Sequence, residues 1–236
     1  LGDLAVDINK LAGDVESMLD AKRALLLGIS HELRTPLSRM RLALEFIDDE
    51  ESAESLRAEV REMEKIVVSL LEAERLNSRH APLTRADTDI RALINDLMDD
   101  FFSRDRSRIR LELPAQDLRA NVDEARITLL LKNLVGNALR YSRPDEGPVV
   151  LSASATDDEL VLGVRDYGPG LSADQAAHIG EPFYRSDKSR TRESGGSGLG
   201  LYLASLVATA HGGSLELLDT GPSGAAFEVR IPLTTS

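Results

Sequence analysis

A histidine, a glutamate and a threonine lie close together in residues 30–37. Glu32 directly follows His31, and Thr35 lies one helical turn further on, on the same face. An imidazole with an ordinary pKa of about 6.5 is largely neutral at pH 7 and can act as a nucleophile. The neighbouring carboxylate can orient the ring or accept its proton. Pro36 removes a backbone donor and should bend the helix, so this stretch is a candidate for nucleophilic chemistry.

Two polar clusters in the second half of the chain could hold a metal ion and a ligand. Asn133 and Asn137 lie one turn apart, and amide oxygens are hard ligands that suit Mg²⁺. Arg140 adds a donor for phosphate. Asp166 stands at the end of a strand pattern, before Gly168 and Gly170, and could accept from an exocyclic amine such as that of adenine. Taken alone, each cluster is better explained as a solvated helix surface or an ordinary turn.

Two more clusters follow at residues 181–190 and 195–201. Among the residues of the first, candidate ligand contacts are the aromatic ring of Phe183 and the guanidinium groups of Arg185 and Arg190. The second contains alternating glycines at the start of a helix pattern: Gly196, Gly198 and Gly200, with Leu199 between the last two. Bare backbone N–H groups at a helix N-terminus bind anions. The pattern is neither a Walker A loop nor a dinucleotide fingerprint. The basic, Gly/Ser-rich residues 187–196 are expected to form a mobile lid.

Heptad spacing organises the first part of the chain. Apolar side chains recur at steps of four and three in two runs: Leu33, Leu37, Met40, Leu44 and Ile47, then Leu56, Val60, Met63, Val67 and Leu70. His31 falls opposite this seam and should face water. An acidic turn over residues 48–52 separates the runs, which predicts an antiparallel helical hairpin. One hairpin cannot cover both stripes, so a homodimeric four-helix bundle is expected.

The second part is predicted to form an α/β sandwich with a sheet on one side and helices on the other. Helices are predicted over residues 90–102, 123–141 and 201–210. Strands are predicted over residues 108–113, 118–122, 149–153, 160–165, 214–218 and 226–231. Residues 77–84 contain turn formers and a proline, and are predicted to link the two parts.

Composition narrows the function classes. The chain has 236 residues, a net charge of −12 and no cysteine. A nucleic-acid-binding role is disfavoured because it requires a basic face. Cysteine-based zinc sites and disulfides are excluded. The sequence contains no apolar run long enough to cross a bilayer, and it begins with Leu, which favours a cytoplasmic fragment of a longer protein.

The stretch around His31 resembles the phosphoacceptor box of sensor histidine kinases of the HisKA class. In order and spacing, the four later clusters resemble the N, first glycine, F and second glycine boxes of the GHKL (Bergerat-fold) ATPases. The resemblance implies ATP and Mg²⁺ as ligands, with Mg²⁺ at Asn133 and Asn137. It further implies an ATP site with adenine on Asp166, Tyr141 packed against the base, and phosphates near the arginines: Arg140, Arg185 and Arg190. The remaining expected nucleotide contacts are Gly168, Gly170, Phe183, Gly196, Gly198, Leu199 and Gly200. Tyr202 departs from the small residue usual after the last box.

The resemblance also implies an order of domains. Residues 1–20 would be the end of a HAMP signalling helix, residues 21–80 the dimerisation and phosphotransfer domain, and residues 81–236 the ATP-binding domain. The expected reaction is autophosphorylation of His31, followed by transfer to an aspartate of a response regulator. Glu32 beside the histidine and Thr35 at the fourth position suggest that the regulator is dephosphorylated as well. The parent protein is expected in the bacterial inner membrane.

Two other functions fit part of the pattern. A GHKL ATPase that drives a clamp would use the same nucleotide clusters but would not need His31. A non-enzymatic dimer scaffold would not need intact nucleotide clusters. Of the other histidines, His80 is placed in the linker and His178 on the surface. His211 precedes two glycines, and a charged imidazolium is expected there at a helix C-terminus.

Overall fold

A computed structural model describes residues 33, 35–47, 49–77, 82–142, 145–184, 198–221 and 224–233. The chain divides between Arg75 and Leu76 into two units. His31, Glu32 and the proposed HAMP helix lie outside the described residues, as do Arg185, Arg190 and Gly196.

The first unit contains an α-helical hairpin. Helix α1 covers residues 35–44 and helix α2 covers Glu50–Asn77. Leu37 and Leu44 are buried against Val60 and Val67. The turn begins earlier than expected, and part of the acidic stretch belongs to α2. The carbonyl of Asp49 accepts from the Ala53 N–H at 2.9 Å, so the helix begins within the acidic stretch and not after it.

Four members of the apolar seam remain exposed within this hairpin. Leu33, Met40, Leu56 and Met63 expose 43%, 49%, 47% and 41% of their surface. They alternate along the seam with the four buried side chains named above. A single copy of the hairpin therefore leaves a continuous apolar stripe in contact with solvent.

The second unit is built on a five-stranded sheet. Its strands are β2 (Ile109–Glu112), β4 (Val149–Ala155), β5 (Glu159–Arg165), β6 (Ser214–Asp219) and β7 (Ala226–Pro232). Their order is β2-β4-β5-β7-β6, with β2 and β4 parallel and the other pairs antiparallel. Two short strands, β1 (Ala86–Asp89) and β3 (Arg119–Val122), pair separately. The predicted α/β fold is confirmed.

Helices cover one face of this sheet. They are α3 (Ile90–Phe101), α4 (Glu124–Tyr141) and α6 (Gly200–Ala210). The shorter α5 (Ala173–His178) follows residues 166–172, which are called the Asp166 loop below. Along β5, Leu160, Leu162 and Val164 are buried while the residues between them are partly exposed. The buried side chains of all three long helices join those of the sheet in one core, since each helix presents an apolar stripe.

Helix α5 and strand β1 were not expected from the sequence. Helix α5 is only six residues long and begins with a capping box between Ser172 and Gln175. Strand β1, Ala-Asp-Thr-Asp, has none of the apolar alternation that predicts a strand. It is held by pairing with β3 and by an ion pair between Asp87 and Arg119 at 2.9 Å.

Candidate functional site

Helix α4 is shared between the core and the candidate site. Its N-cap is Asp123, whose side chain accepts from the backbone N–H of Arg126. One face is buried in the core, and Asn133 and Asn137 lie half-buried on another. The Asn133 amide nitrogen donates to the Leu129 carbonyl at 2.8 Å, which leaves its Oδ1 atom as an acceptor.

The first residue of α6 lies beside this asparagine. A Cβ placed on Gly200 would be 3.1 Å from Asn133 Oδ1, so glycine leaves the amide oxygen room. Leu199, which precedes α6, is 1% exposed and anchors the start of the helix. The asparagine cluster and the last glycine cluster are therefore in contact.

Asp166 follows β5 and is buried. Its Oδ1 atom accepts from the backbone N–H groups of Gly168 and Ala225, both at 3.0 Å, and its own N–H donates to the Ala225 carbonyl at 2.9 Å. Within the described ranges, no hydrogen bond to its Oδ2 atom is found. Burial raises the pKa of this carboxyl, and the two backbone donors oppose that shift.

The Asp166 loop also contacts the end of α4. A Cβ on Gly168 would lie 2.5 Å from the carbonyl oxygen of Tyr141, so only glycine fits there. The Tyr167 N–H donates to Ser142 Oγ at 3.1 Å. Tyr141 is 38% exposed, and Arg140 is exposed beside it. These contacts bring the residues expected around adenine into one place.

The connection between β6 and β7 is a part of this site that the sequence did not indicate. Gly170 (φ 69°) packs against the carbonyl of Gly221, and Gly224 (φ 114°) packs against the carbonyl of Asp166. At both positions a Cβ would overlap the facing oxygen, and the left-handed φ independently favours glycine. Both contacts join residues that are distant in the sequence, so local sequence indicates neither the packing of Gly170 on Gly221 nor a role for Gly224.

Phe183 contacts the last glycine cluster. Its N–H donates to the Gly198 carbonyl at 3.1 Å, and a Cβ on Gly198 would lie 2.8 Å from the Phe183 backbone. Phe183 has a left-handed backbone (φ 64°) and a side chain that is 57% exposed. The four clusters are thus linked by pairwise contacts wherever the structure describes them.

The expectation of a charged His211 is wrong. The side chain is 1% exposed, and its Nδ1–H donates to the Val207 carbonyl at 2.8 Å. The Asp123 N–H donates to Nε2 at 3.1 Å, which requires an unprotonated nitrogen there. Burial lowers the pKa of the imidazole. His178 lies at the surface as expected, and its pairing with Glu181 at 2.9 Å raises its pKa.

Two protein families match this chain. Residues 21–79 match the family described as His Kinase A (phospho-acceptor) domain. Residues 122–235 match the family described as Histidine kinase-, DNA gyrase B-, and HSP90-like ATPase.

Individual sensor kinases align along almost the whole chain. The signal transduction histidine-protein kinase BaeS of Escherichia coli (strain K12) is 35% identical over 99% of this chain and 51% of its own length. The sensor histidine kinase MtrB of Mycobacterium tuberculosis (strain ATCC 25618 / H37Rv) is 32% identical over 98% of this chain and 42% of its own length. The chain thus spans about half the length of the curated relatives it matches.

Solved structures agree with these alignments. Full-length ShkA in complex with AMPPNP superposes with a TM-score of 0.73 at 29% identity, over 89% of this chain and 46% of that one. The mycobacterial sensor histidine kinase MprB gives a TM-score of 0.54 at 27% identity, over 62% of this chain and 97% of that one. Across the ranges described, no helix has both the length and the apolarity needed to cross a membrane. Carrying a phosphoacceptor domain followed by a kinase-type ATPase domain, the chain belongs to the two-component sensor histidine kinases.

Proposed function

We propose that this chain is the catalytic core of a sensor histidine kinase that phosphorylates His31 from ATP and passes the group to an aspartate of a response regulator. One observation carries the proposal: a phosphoacceptor match and an ATPase match occur together in one chain. A clamp ATPase has no need of the first, and a scaffold has no need of the second. Residues 21–80 and 81–236 are the proposed functional domains, after a HAMP segment over residues 1–20.

Adenine is proposed to bind at Asp166. Because both backbone donors are directed at Oδ1, the second carboxylate oxygen remains to accept from the exocyclic amine of the base. Gly168 and Gly170 would let the base approach the backbone. Tyr141, partly exposed at the edge of this loop, would pack against the ring.

The phosphates and Mg²⁺ are proposed to lie between α4 and the start of α6. The orientation of the Asn133 amide supports this, because its nitrogen is occupied by a backbone carbonyl and its oxygen faces Gly200. Asn137 would supply a second amide oxygen one turn further on. Bound Mg²⁺ would neutralise phosphate charge. The N-terminus of α6 and exposed Arg140 would donate to phosphate oxygens, with Arg185, Arg190 and Gly196 as further proposed contacts.

The proposed transfer forms a bond between a ring nitrogen of His31 and the γ-phosphorus of ATP. The bond from that phosphorus to the bridging oxygen breaks, and ADP leaves. Glu32 orients the imidazole and accepts its proton. The phosphoryl group then moves from the imidazole to a carboxylate oxygen of the regulator. Positioning and charge neutralisation account for most of the catalysis in this scheme.

Regulator docking is proposed on the outer face of α1. Thr35 is exposed on this helix, and Leu42, two turns further on, exposes 64% of its surface. Phe46, in the turn that follows α1, exposes 86%. Solvent-exposed apolar side chains beside a reactive group are typical of a partner surface. Thr35 would position a water against the phospho-aspartate, giving a second, phosphatase activity. The whole protein is proposed to be a homodimer that reaches the bacterial inner membrane through segments outside this sequence.

Incubation with γ-labelled ATP tests the main proposal. We expect label on the protein that is lost in acid, as phosphohistidine is, and no label on His31→Gln. ATP binding by this variant should equal that of the unsubstituted protein, because His31 belongs to the helical domain. Release of inorganic phosphate with no labelled protein would favour the clamp ATPase instead. Absence of both label and hydrolysis would favour the scaffold.

A further inference from the structure

An arginine outside the four nucleotide clusters caps the end of α4. The short 3-10 helix Ser103–Arg108 ends with Arg108, which is about one-third exposed. Its Nη2 atom donates to the carbonyls of Leu139 at 2.9 Å and Ser142 at 3.2 Å, and Nη1 pairs with Asp105 at 3.1 Å. The last carbonyls of a helix lack partners within it, and a cation there is favoured by the helix dipole. The two carbonyls lie on either side of Arg140 and Tyr141.

The capped end of α4 is joined directly to the Asp166 loop. Ser142 is 7% exposed, and its Oγ atom accepts from the Tyr167 N–H at 3.1 Å. The Tyr141 carbonyl lies against Gly168. Asp166 immediately precedes this pair of contacts. A short series of hydrogen bonds therefore runs from the Arg108 guanidinium, through Ser142, to the backbone next to Asp166.

We propose that Arg108 is a positioning residue for adenine recognition. It does not reach the base. Its guanidinium fixes the end of α4 that carries Tyr141 and, through Ser142, the loop that carries Asp166. The spacing between the tyrosine ring and the carboxylate then depends on Arg108. This inference rests on the proposed ATP-binding function, and it adds a residue that none of the nucleotide motifs contains.

The sharpest variant is Arg108→Lys. Lysine keeps the charge near the helix C-terminus but lacks the planar guanidinium, whose Nη2 atom donates to both carbonyls while Nη1 is held by Asp105. Calorimetry on the full chain would compare ADP with inosine diphosphate, which carries a carbonyl in place of the exocyclic amine. We expect the Kd for ADP to rise about tenfold, the effect of losing a hydrogen bond to a charged group. The preference for ADP over inosine diphosphate should fall, while kcat at saturating ATP stays within about twofold.

Three further variants complete the experiment. Ser142→Ala removes the Oγ acceptor but keeps the carbonyl that Arg108 binds, and it should also reduce the preference for ADP. Asp166→Asn changes the proposed acceptor itself, so its loss of preference for ADP over inosine diphosphate is the reference value for the other variants. Arg110→Lys is the matched control, since Arg110 is exposed on β2 and pairs only with Glu112 among its described partners.

The outcomes separate this inference from the function on which it rests. If the unsubstituted protein does not bind ADP, the proposed function is wrong. If it binds ADP and neither Arg108→Lys nor Ser142→Ala changes the preference, the positioning role is wrong. Equal weakening of both nucleotides, together with a lower Tm, would also overturn it, because that result reports general destabilisation. If Arg108→Lys does not fold, the preference of Ser142→Ala for ADP over inosine diphosphate decides whether the positioning role holds.

Discussion

At Asp166 the two oxygens of one carboxylate have different surroundings. Oδ1 is held by two backbone N–H groups, and the proposal assigns Oδ2 to the ligand. Burial makes the ionised form costly, which accounts for the raised pKa, while the two donors favour ionisation. The same bonds that keep the group charged also fix its direction. A side chain held in this way can discriminate between bases without rearranging.

The proposed phosphatase role of Thr35 can be tested separately from the kinase activity at this one residue. We expect Thr35→Ala to keep most autokinase activity and to lose most regulator dephosphorylation, because Thr35 is exposed and comes four residues after the histidine in the sequence. Dephosphorylation of a labelled regulator and labelling of His31 are measured side by side, with Ser38→Ala as a control on the same helix. Equal loss of both activities would assign Thr35 a structural role, in which its hydroxyl bonds a carbonyl one turn back. Full dephosphorylation would remove it from the chemistry.

Among the helices, α4 and α6 are tied together by His211. The imidazole at the C-terminal end of α6 accepts from the N-cap residue of α4, while Asp123 Oδ2 accepts from the Thr84 N–H at 2.9 Å. The Arg85 guanidinium donates to the His211 carbonyl at 3.1 Å. The nucleotide clusters lie at the other end of this helix pair, where Gly200 meets Asn133. A neutral histidine thus sets the relative position of the two helices that the proposed phosphate site uses.

Acid should weaken this junction. An unfolded histidine takes up a proton below about pH 6.5, whereas the folded pKa of His211 is lowered, first by burial and also by the charges of Arg85 and Arg126. Stability is therefore present above pH 6.5 and is lost as the pH falls towards the folded pKa, by at most about 1.4 kcal/mol per pH unit. Denaturant unfolding between pH 8 and pH 5 measures this loss.

His211→Gln supplies the comparison. It removes the titrating group while keeping a donor and an acceptor. His178, whose raised pKa changes stability in the opposite sense, is present in both proteins and cancels in the difference. The unsubstituted protein should lose more stability on acidification than the variant does. Parallel pH curves for the two proteins would show that His211 does not control this response.

Helices and strands whose apolar side chains recur at a regular spacing could be predicted from the sequence. Contacts between elements that are distant in the sequence could not. Helix α4 follows from its apolar stripe and from the Asp123 cap, and its observed bounds differ from the predicted range by one residue. The β6–β7 connection contains no motif, yet Gly224 and Ala225 hold Asp166. His211 was assigned a charge because its position next to glycines is visible in sequence, whereas its burial against Asp123, 88 residues away, is not.

At the scale of the whole molecule, the exposed apolar seam of the hairpin indicates that two copies of the chain associate. The hairpin buries Leu37, Leu44, Val60 and Val67 but leaves the alternating members of the seam exposed. Exposed apolar surface costs about 25 cal/mol per Å² relative to burial. A second hairpin covering the same stripe would recover that free energy and complete a four-helix bundle.

We expect Met40→Glu to convert a dimer into a monomer. A carboxylate placed in the seam would have to be buried without a partner, and this cost opposes association. Ser38→Glu adds the same charge on the outer face of α1 and should leave the dimer intact. Sedimentation equilibrium over a range of concentrations gives the mass of each protein. A dimer that persists in Met40→Glu, or one lost equally in both variants, would argue against association through the seam.

Phe183 has a consequence for attempts to stabilise this protein. A bulky side chain on a left-handed backbone costs on the order of 1 kcal/mol, and asparagine tolerates that backbone far better. More than half of the ring is exposed, so little burial offsets the cost. Selection for thermal tolerance alone would therefore replace this phenylalanine, in a segment that touches the last glycine cluster. If Phe183 contacts the nucleotide as proposed, stability and ATP binding make opposite demands on this residue. A screen for heat resistance should then yield substitutions here that raise Tm and weaken ATP binding.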